Sequence, residues 1–415
     1  VRVSQSQSLG QGPKARDRTR TPPSKSFPKA REVFLSGSDK WSAATSNMAN
    51  VLVSLSEFEV GSKRVEILDL AEGEYRMAIN SIDRRTNPEV WANSMTNLGT
   101  LFLEKSFLSD VDALGSLRQA IKNYESVLLV YTKESNPQNW VSVNNNIGNA
   151  FKRIAIIGAG EKSGVALSNA ESAFRDALEV WTREEFPQQW AITHYNLGNV
   201  LADRAALSAQ PEARVLLDNS AFSYRLALEL WDAESSPQQW LMAHHNLGNA
   251  LVARASQSQR DQSKNFLKAA TAAYRAGLKV AVDSVSSEQW AMTQHNLGSV
   301  LRDRALRSDV SKAPVLWVAA ILAFESAVEH FSRDTSPKDW AVAQYNLAAG
   351  RGYIAMLSSA EQKNHLFMKA IRGLEKSRIV MQQEGMRSSA RQAGEAIQFM
   401  KYRIQEALSE AKAAR

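Results

Sequence analysis

The chain has 415 residues, 44% hydrophobic and 22% charged, a balance that lets a long chain bury a core. It has no cysteine, which excludes disulfides, thiolate metal sites, iron–sulfur ligation and cysteine nucleophiles together. Its net charge of +7 sits mostly at one end, because residues 1–34 hold Arg2, Lys14, Arg16, Arg18, Arg20, Lys25, Lys29 and Arg31 against Asp17 and Glu32. The remainder is nearly neutral, which argues against a long phosphate-tracking groove.

The first segment, residues 1–36, is rich in Ser, Pro and Arg and poor in apolar residues, so it cannot fold alone. Three readings of it stand side by side: a solvated leader, a targeting leader that would put the mature protein inside an organelle, or a docking arm for an acidic surface such as RNA, a membrane face or a protein. Otherwise the expectation is a soluble, cytoplasmic protein. No run of eighteen apolar residues appears, and nothing in the sequence reads as a membrane span.

From residue 37 the chain repeats itself. Tryptophans recur at Trp41, Trp91, Trp140, Trp190, Trp240, Trp290 and Trp340. With each tryptophan counted as position 0, position six is always asparagine: Asn47, Asn97, Asn146, Asn196, Asn246, Asn296 and Asn346. Position eight is always small: Ala49, Gly99, Gly148, Gly198, Gly248, Gly298 and Ala348. A fixed period of about fifty residues marks stacked supersecondary units.

Each unit reads as two helices. The first opens on a start signal such as Ser236-Pro237-Gln238-Gln239-Trp240, where Ser236 is placed to cap, Pro237 suits the first helical position and Gln239 completes a capping box. Asn87-Pro88, Asn136-Pro137 and Ser336-Pro337 repeat the device. Gly248 in mid-helix costs about 1 kcal/mol relative to alanine, so its recurrence predicts a second helix packed too close for a larger side chain. That second helix carries a stripe at steps of three and four: Phe174, Ala177, Leu178 and Trp181, echoed by Tyr224, Ala227, Leu228 and Trp231. Spaced in this way with Leu and Gly, the tryptophans are expected to be joints between units rather than stacking platforms, while Trp317 falls outside the pattern. Residues 386–415 read as a last helix with Ala396, Ile397, Met400, Ile404 and Leu408 on one side and charge on the other, as an end cap needs.

Asn196-Leu197-Gly198-Asn199, the Phe174, Ala177 and Leu178 stripe and Pro187 between units resemble the tetratricopeptide repeat. The wording Pro-Gln-Gln-Trp-Ala with Asn-Leu-Gly-Asn is similar to long-period arrays of bacterial, especially cyanobacterial and proteobacterial, tetratricopeptide proteins. The period departs from the usual 34, so longer helices or loops are expected. The resemblance implies an all-α, right-handed α-solenoid of seven tetratricopeptide-like helix pairs over residues 37–385 with a C-terminal capping helix.

It also implies that first helices line a concave groove. Position five would face it with Tyr195, His245, His295 and Tyr345, and position nine with Asn149, Asn199 and Asn249. An amide ladder offers donors and acceptors to an extended peptide backbone whatever its sequence. The position-six asparagines are read as structural, bonding between helices. Lysines and an arginine that grip C-terminal carboxylates in some such modules are replaced by Ile192, Met242 and Met292 at position two.

No phosphate loop, no H-E-x-x-H and no G-x-S-x-G occurs, and no carboxylate pair stands out, so no enzyme and no cofactor are expected. His194, His244, His245 and His295 lie on successive first helices, but no cysteine or carboxylate completes a ligand set, so no metal is expected either. The sequence points to a protein-binding scaffold that holds an extended peptide or a helix in its groove. Alternatives are a structural subunit of a large complex with the basic tail docked on a neighbour, and a sensor array for a signalling enzyme on another chain. Nucleic acid enters only through the tail.

Overall fold

The structure, a computed structural model, describes residues 38–108, 111–158 and 161–413; the basic tail lies outside them. The described residues form fifteen α-helices and no strand. The chain divides into two units, the first ending at Asn136 and the second starting at Pro137. The first unit contains α1 (Asp39–Ser56), α2 (Gly61–Ser81), α3 (Pro88–Lys105) and α4 (Ala113–Leu128). The second contains α5 (Pro137–Ile157), α6 (Glu161–Leu178), α7 (Pro187–Leu207), α8 (Glu212–Ala227), α9 (Pro237–Ser256), α10 (Arg260–Gly277), α11 (Ser287–Leu306), α12 (Ala313–His330), α13 (Pro337–Leu357), α14 (Ala360–Gln383) and α15 (Arg387–Ala413). Within each unit a helix packs on the next in sequence, so two repeats stack in the first unit and five in the second. Helices of 16 to 24 residues carry the repeats, which is how the period exceeds that of the common repeat. Each repeat is a pair of α-helices packed on one another.

The glycine at position eight explains the stacking distance. A Cβ at Gly248 would lie 2.4 Å from the Tyr274 ring, and one at Gly198 would lie 2.7 Å from Tyr224. Gly148 and Gly298 meet Phe174 and Phe324 in the same way, and in the first unit Gly99 meets Tyr124. A mid-helix glycine therefore lets a fully buried aromatic of the second helix sit directly on the backbone of the first. In the last repeat Ala348 stands at the glycine place and Leu374 at the aromatic one.

The start signals work differently from the sequence expectation. Ser236 accepts no capping bond, and neither do Asn87, Phe186 and Ser336, all of which precede proline. Their ψ angles lie at 57, 59, 51 and 52°, because proline restricts the residue before it. Ser38 and Ser286 precede no proline, keep ψ at 156 and 120°, and do cap their helices. At the proline-bearing joints the polar residue four places earlier takes over. Asp232 Oδ1 accepts the Glu234 and Ser235 amides at 2.8 and 2.7 Å, and its carbonyl accepts the Ser236 amide at 3.1 Å. Thr182 does the same for Glu185 at 3.2 Å and for Phe186 at 3.0 Å. Thr182→Ala is therefore expected to cost about 1 kcal/mol in a urea titration, while Ser236→Ala leaves the midpoint unchanged.

Six of the repeat tryptophans are half-buried joints, and Trp340 is buried in the core. Trp190 packs among Ala191, Ala227, Trp231 and Ala243, and Trp240 donates to the Ala276 carbonyl at 2.8 Å. Arg84, Arg183 and Arg333, each seven residues upstream, lie over Trp91, Trp190 and Trp340. Trp317 is core too, stacked on Tyr353 with ring centroids 4.5 Å apart. Its helix, α12, is long and apolar enough to cross a membrane by length and composition alone. One side of it is nonetheless core, with Trp317, Ala320, Phe324 and Ala327 buried, while Val315, Val318 and Leu322 are exposed. The terminal helix α15 buries Ala393, Ile397 and Met400 against α14, with Ala396 and Ile404 partly covered. Its other side is not purely charged, because Phe399 and Tyr402 are exposed there. The side chain of Leu408 lies outside the described residues.

Candidate partner-binding groove

All seven residues expected to line a groove belong to the second unit, and the structure gives them different jobs. Asn199 Oδ1 accepts the Tyr224 hydroxyl at 2.7 Å and the Asn246 amide at 2.9 Å. Asn249 Oδ1 repeats this with Tyr274 at 2.7 Å and Asn296 at 3.0 Å. Position nine thus links its own second helix to the position-six asparagine of the next repeat, and the first unit shows the same relay through Tyr75, Asn50 and Asn97. Where the second helix carries Phe174, no hydroxyl reaches position nine, and the Asn149 side chain makes no hydrogen bond among the described residues. Position six is structural elsewhere too, since Asn196 accepts Lys152 at 3.0 Å and Asn346 accepts Arg302 at 3.1 Å.

Position five is a half-buried shelf. Tyr195 lies 5.8 Å from the Tyr224 ring and 5.6 Å from Trp231, and its hydroxyl accepts the Asn246 amide at 3.0 Å. Burial pushes that hydroxyl's pKa up, opposed by its bonds to Asn199 and Asn246. His245 sits 6.0 Å from Tyr274 and bonds Thr293 Oγ1 through Nδ1 at 2.9 Å. His295 sits edge-on to Phe324 at 5.5 Å, and Tyr345 packs against the core between α13 and α15.

Two cavities open among these helices. One of about 430 Å³ spans α5, α7 and α9 and is lined by Lys152, Asn199, Asp203, Tyr224, Asn246 and Asn249. Burial lowers the pKa of Lys152 and raises that of Asp203, and each charge partly offsets the effect on the other. The second cavity, about 190 Å³, lies between α9 and α11 against Leu241, Met242, His245, Gln289, Met292 and Thr293. Of the expected residues, Asn199 and Asn249 line the first cavity and His245 the second, while Asn149, Tyr195, His295 and Tyr345 line neither. The sequence reading missed Lys152 and Asp203, one turn further along the same helix face. It noted Met242 and Met292 only as evidence against a carboxylate clamp.

His194 and His244 are edge-on to Trp190 and Trp240 at 4.5 and 4.2 Å. Among the described residues no group of three or more His, Asp or Glu gathers as metal ligands.

Neither a family model nor a curated protein matches the chain. Among solved structures, it is similar to the C-terminal part of a TPR repeat-containing protein from Cytophaga hutchinsonii, at 10% identity and a TM-score of 0.45, over 74% of this chain and 93% of that one. It is also similar to a signal transduction ATPase with a tetratricopeptide repeat sensor from Pyrococcus horikoshii, at 11% identity and a TM-score of 0.41. That match covers 95% of this chain and 55% of the other. A third likeness is to BtubC from P. vanneervenii, at 15% identity and a TM-score of 0.38, over 66% of this chain and 91% of that one.

Proposed function

We propose that the second unit is a non-enzymatic protein-interaction scaffold whose first helices hold an extended peptide or a helix. The carrying observation is the cavity between α9 and α11, floored by Leu241 and edged by Met242 and Met292, the latter 38% exposed. Methionines adapt their shape to an inserted side chain, and the adjoining cavity with Lys152, Asn199 and Asn249 offers a donor-rich floor for polar backbone. The partner therefore inserts one apolar side chain between α9 and α11 and lays polar groups toward α7. Asn149, Asn199, Asn249, Tyr195, His245, His295 and Tyr345 remain the proposed contact row. Asn199 and Asn249 contribute there through their amide nitrogens, because their oxygens are already engaged.

The test is a pull-down from the native host with the full chain, followed by the same experiment with Met242→Lys/Met292→Lys. Partner recovery is expected to fall at least tenfold at an unchanged thermal midpoint, and unaltered recovery overturns the groove reading. Asn199→Ala is a poorer probe, because it strands the Tyr224 hydroxyl and the Asn246 amide. A second reading, a subunit of a larger assembly, is favoured by the exposed Val315, Val318 and Leu322 stripe on α12. It predicts self-association of the isolated chain, which light scattering reads.

A further inference from the structure

The repeats act as one another's controls, and one joint breaks the rule that the others keep. Fourteen residues after the tryptophan, four first helices carry a cation: Lys105, Arg204, Arg254 and Arg304. Each points to the second helix of the preceding repeat. Lys105 meets Asp69 at 2.6 Å and Glu72 at 2.8 Å on α2. Arg204 meets Glu171 on α6, and Arg254 meets Asp218 on α8 at 3.0 Å. The acids stand either 36 or 33 residues before the cation. For Arg304 those two places on α10 are Lys268 and Thr271.

Arg304 consequently reaches only the Thr271 hydroxyl, at 3.1 Å, and among the described residues it meets no carboxylate. Its guanidinium is held below its ordinary pKa by burial and by Arg275. A cavity of about 280 Å³ opens beside it, lined by Lys264, Lys268, Arg304, Arg307 and Lys312 against the single acid Asp309. Of these cations only Lys264 has an ion-pair partner among the described residues, Asp261 at 3.3 Å. A half-buried cation at a packed joint is costly without a counter-charge. Three sister joints supply that charge from the chain, and this joint supplies a further cation instead.

We propose that the α10/α11 joint is a binding site for a phosphate-class oxyanion, held by the half-buried Arg304 and the exposed Lys268, Arg307 and Lys312 around it. The cavity is below the size of drug-like ligand pockets and suits a small, multiply charged group. Guanidinium and ammonium donors together match phosphate oxygens, the arginines in forked pairs and the lysines as point charges. The group can come free, as a small phosphate, or on a phosphorylated residue of a partner protein. The site lies at the loop end of the repeat, is lined by none of the proposed groove residues, and does not depend on the groove reading.

The experiment titrates the full chain with inorganic pyrophosphate at constant ionic strength, by calorimetry and by thermal midpoint. A second arm uses a short doubly phosphorylated serine peptide and its unphosphorylated twin. Wild type is expected to saturate with one or both phosphate probes and to rise in thermal midpoint as it does. Lys268→Glu, which installs the acid used at the sister joints, should weaken binding at least tenfold while raising the midpoint in phosphate-free buffer. Arg307→Gln/Lys312→Gln should weaken binding without raising it. Lys376→Glu, an equal charge change at an exposed place on α14, should bind as wild type does. Tighter binding of the phosphopeptide than of pyrophosphate identifies a protein-borne ligand, and the reverse order a free one. No saturation by either probe overturns the proposal, as does an equal loss in Lys268→Glu and Lys376→Glu.

Discussion

Gly248→Val is expected to be among the most destabilising single substitutions in the chain, costing about 3 kcal/mol in a urea titration. A first methyl there would sit 2.4 Å from the Tyr274 ring, which is fully buried and bonded to Asn249, so neither partner can yield cheaply. Gly248→Ala should still lose about 1 kcal/mol, although alanine is intrinsically the better helix former by about the same amount. The contrast is Gly73, in the middle of α2, where a Cβ meets nothing within 4 Å. Gly73→Ala should gain about 0.5–1 kcal/mol. Opposite signs at two mid-helix glycines separate a packing requirement from a helix-propensity effect. Equal signs would refute the claim that the aromatic sets the helix spacing.

The second large effect is acid destabilisation through four histidines. Burial pushes His194, His244, His245 and His295 each down to about 4, with Lys279 adding to the effect at His244 and Arg302 at His295. Both ring nitrogens of His244 and the Nδ1 atoms of His194 and His295 are buried without a hydrogen-bond partner, so the charged form finds no acceptors there. The folded pKa lies below the unfolded value of about 6.5, so between these pH values the unfolded chain binds more protons. Stability is therefore intact above pH 6.5 and falls as the pH drops toward 4, by at most about 1.4 kcal/mol per pH unit for each ring. Partial exposure trims that figure. The depressed carboxyl of Asp232, held down by its bonds to Ser235 and Glu234, titrates below this window and does not confuse it. Replacing the four histidines with glutamine should flatten the unfolding midpoint between pH 4 and 6.5. A profile as steep as wild type would assign the acid sensitivity elsewhere.

What could be read from the sequence followed from how tightly physics constrained each residue. A close approach at Gly248 was legible because only a missing side chain explains glycine inside helix after helix, while its partner, Tyr274, came from the structure. The joint role of Trp190 was legible from its periodicity. Ser236 misled because its capping power depends on ψ, which the following proline shifts; that coupling is local, and Asp232 four residues earlier carried the signal. Asn199 was ambiguous in principle, since an amide suits a peptide ladder and an internal relay equally, and only the Tyr224 hydroxyl at 2.7 Å assigns its oxygen. Lys268 was invisible. Its meaning comes from the acid it replaces, and that acid can be located only once Arg304 is seen to reach α10 rather than its own second helix.

The relay from the second-helix tyrosine through position nine to the next position six has a consequence for how such a chain can change over generations. Every bond of the relay in the second unit joins a repeat to itself or to its immediate successor, as Tyr274, Asn249 and Asn296 do. A duplication or excision cut at equivalent points would therefore deliver matched halves on both sides of the seam. Repeat number is then free to drift, while the amide, the ring and the glycine that meet at a seam of this kind are inherited together. A lone replacement such as Lys268, which belongs to one seam and no other, is the kind of mark such a history leaves when one copy takes up a task of its own.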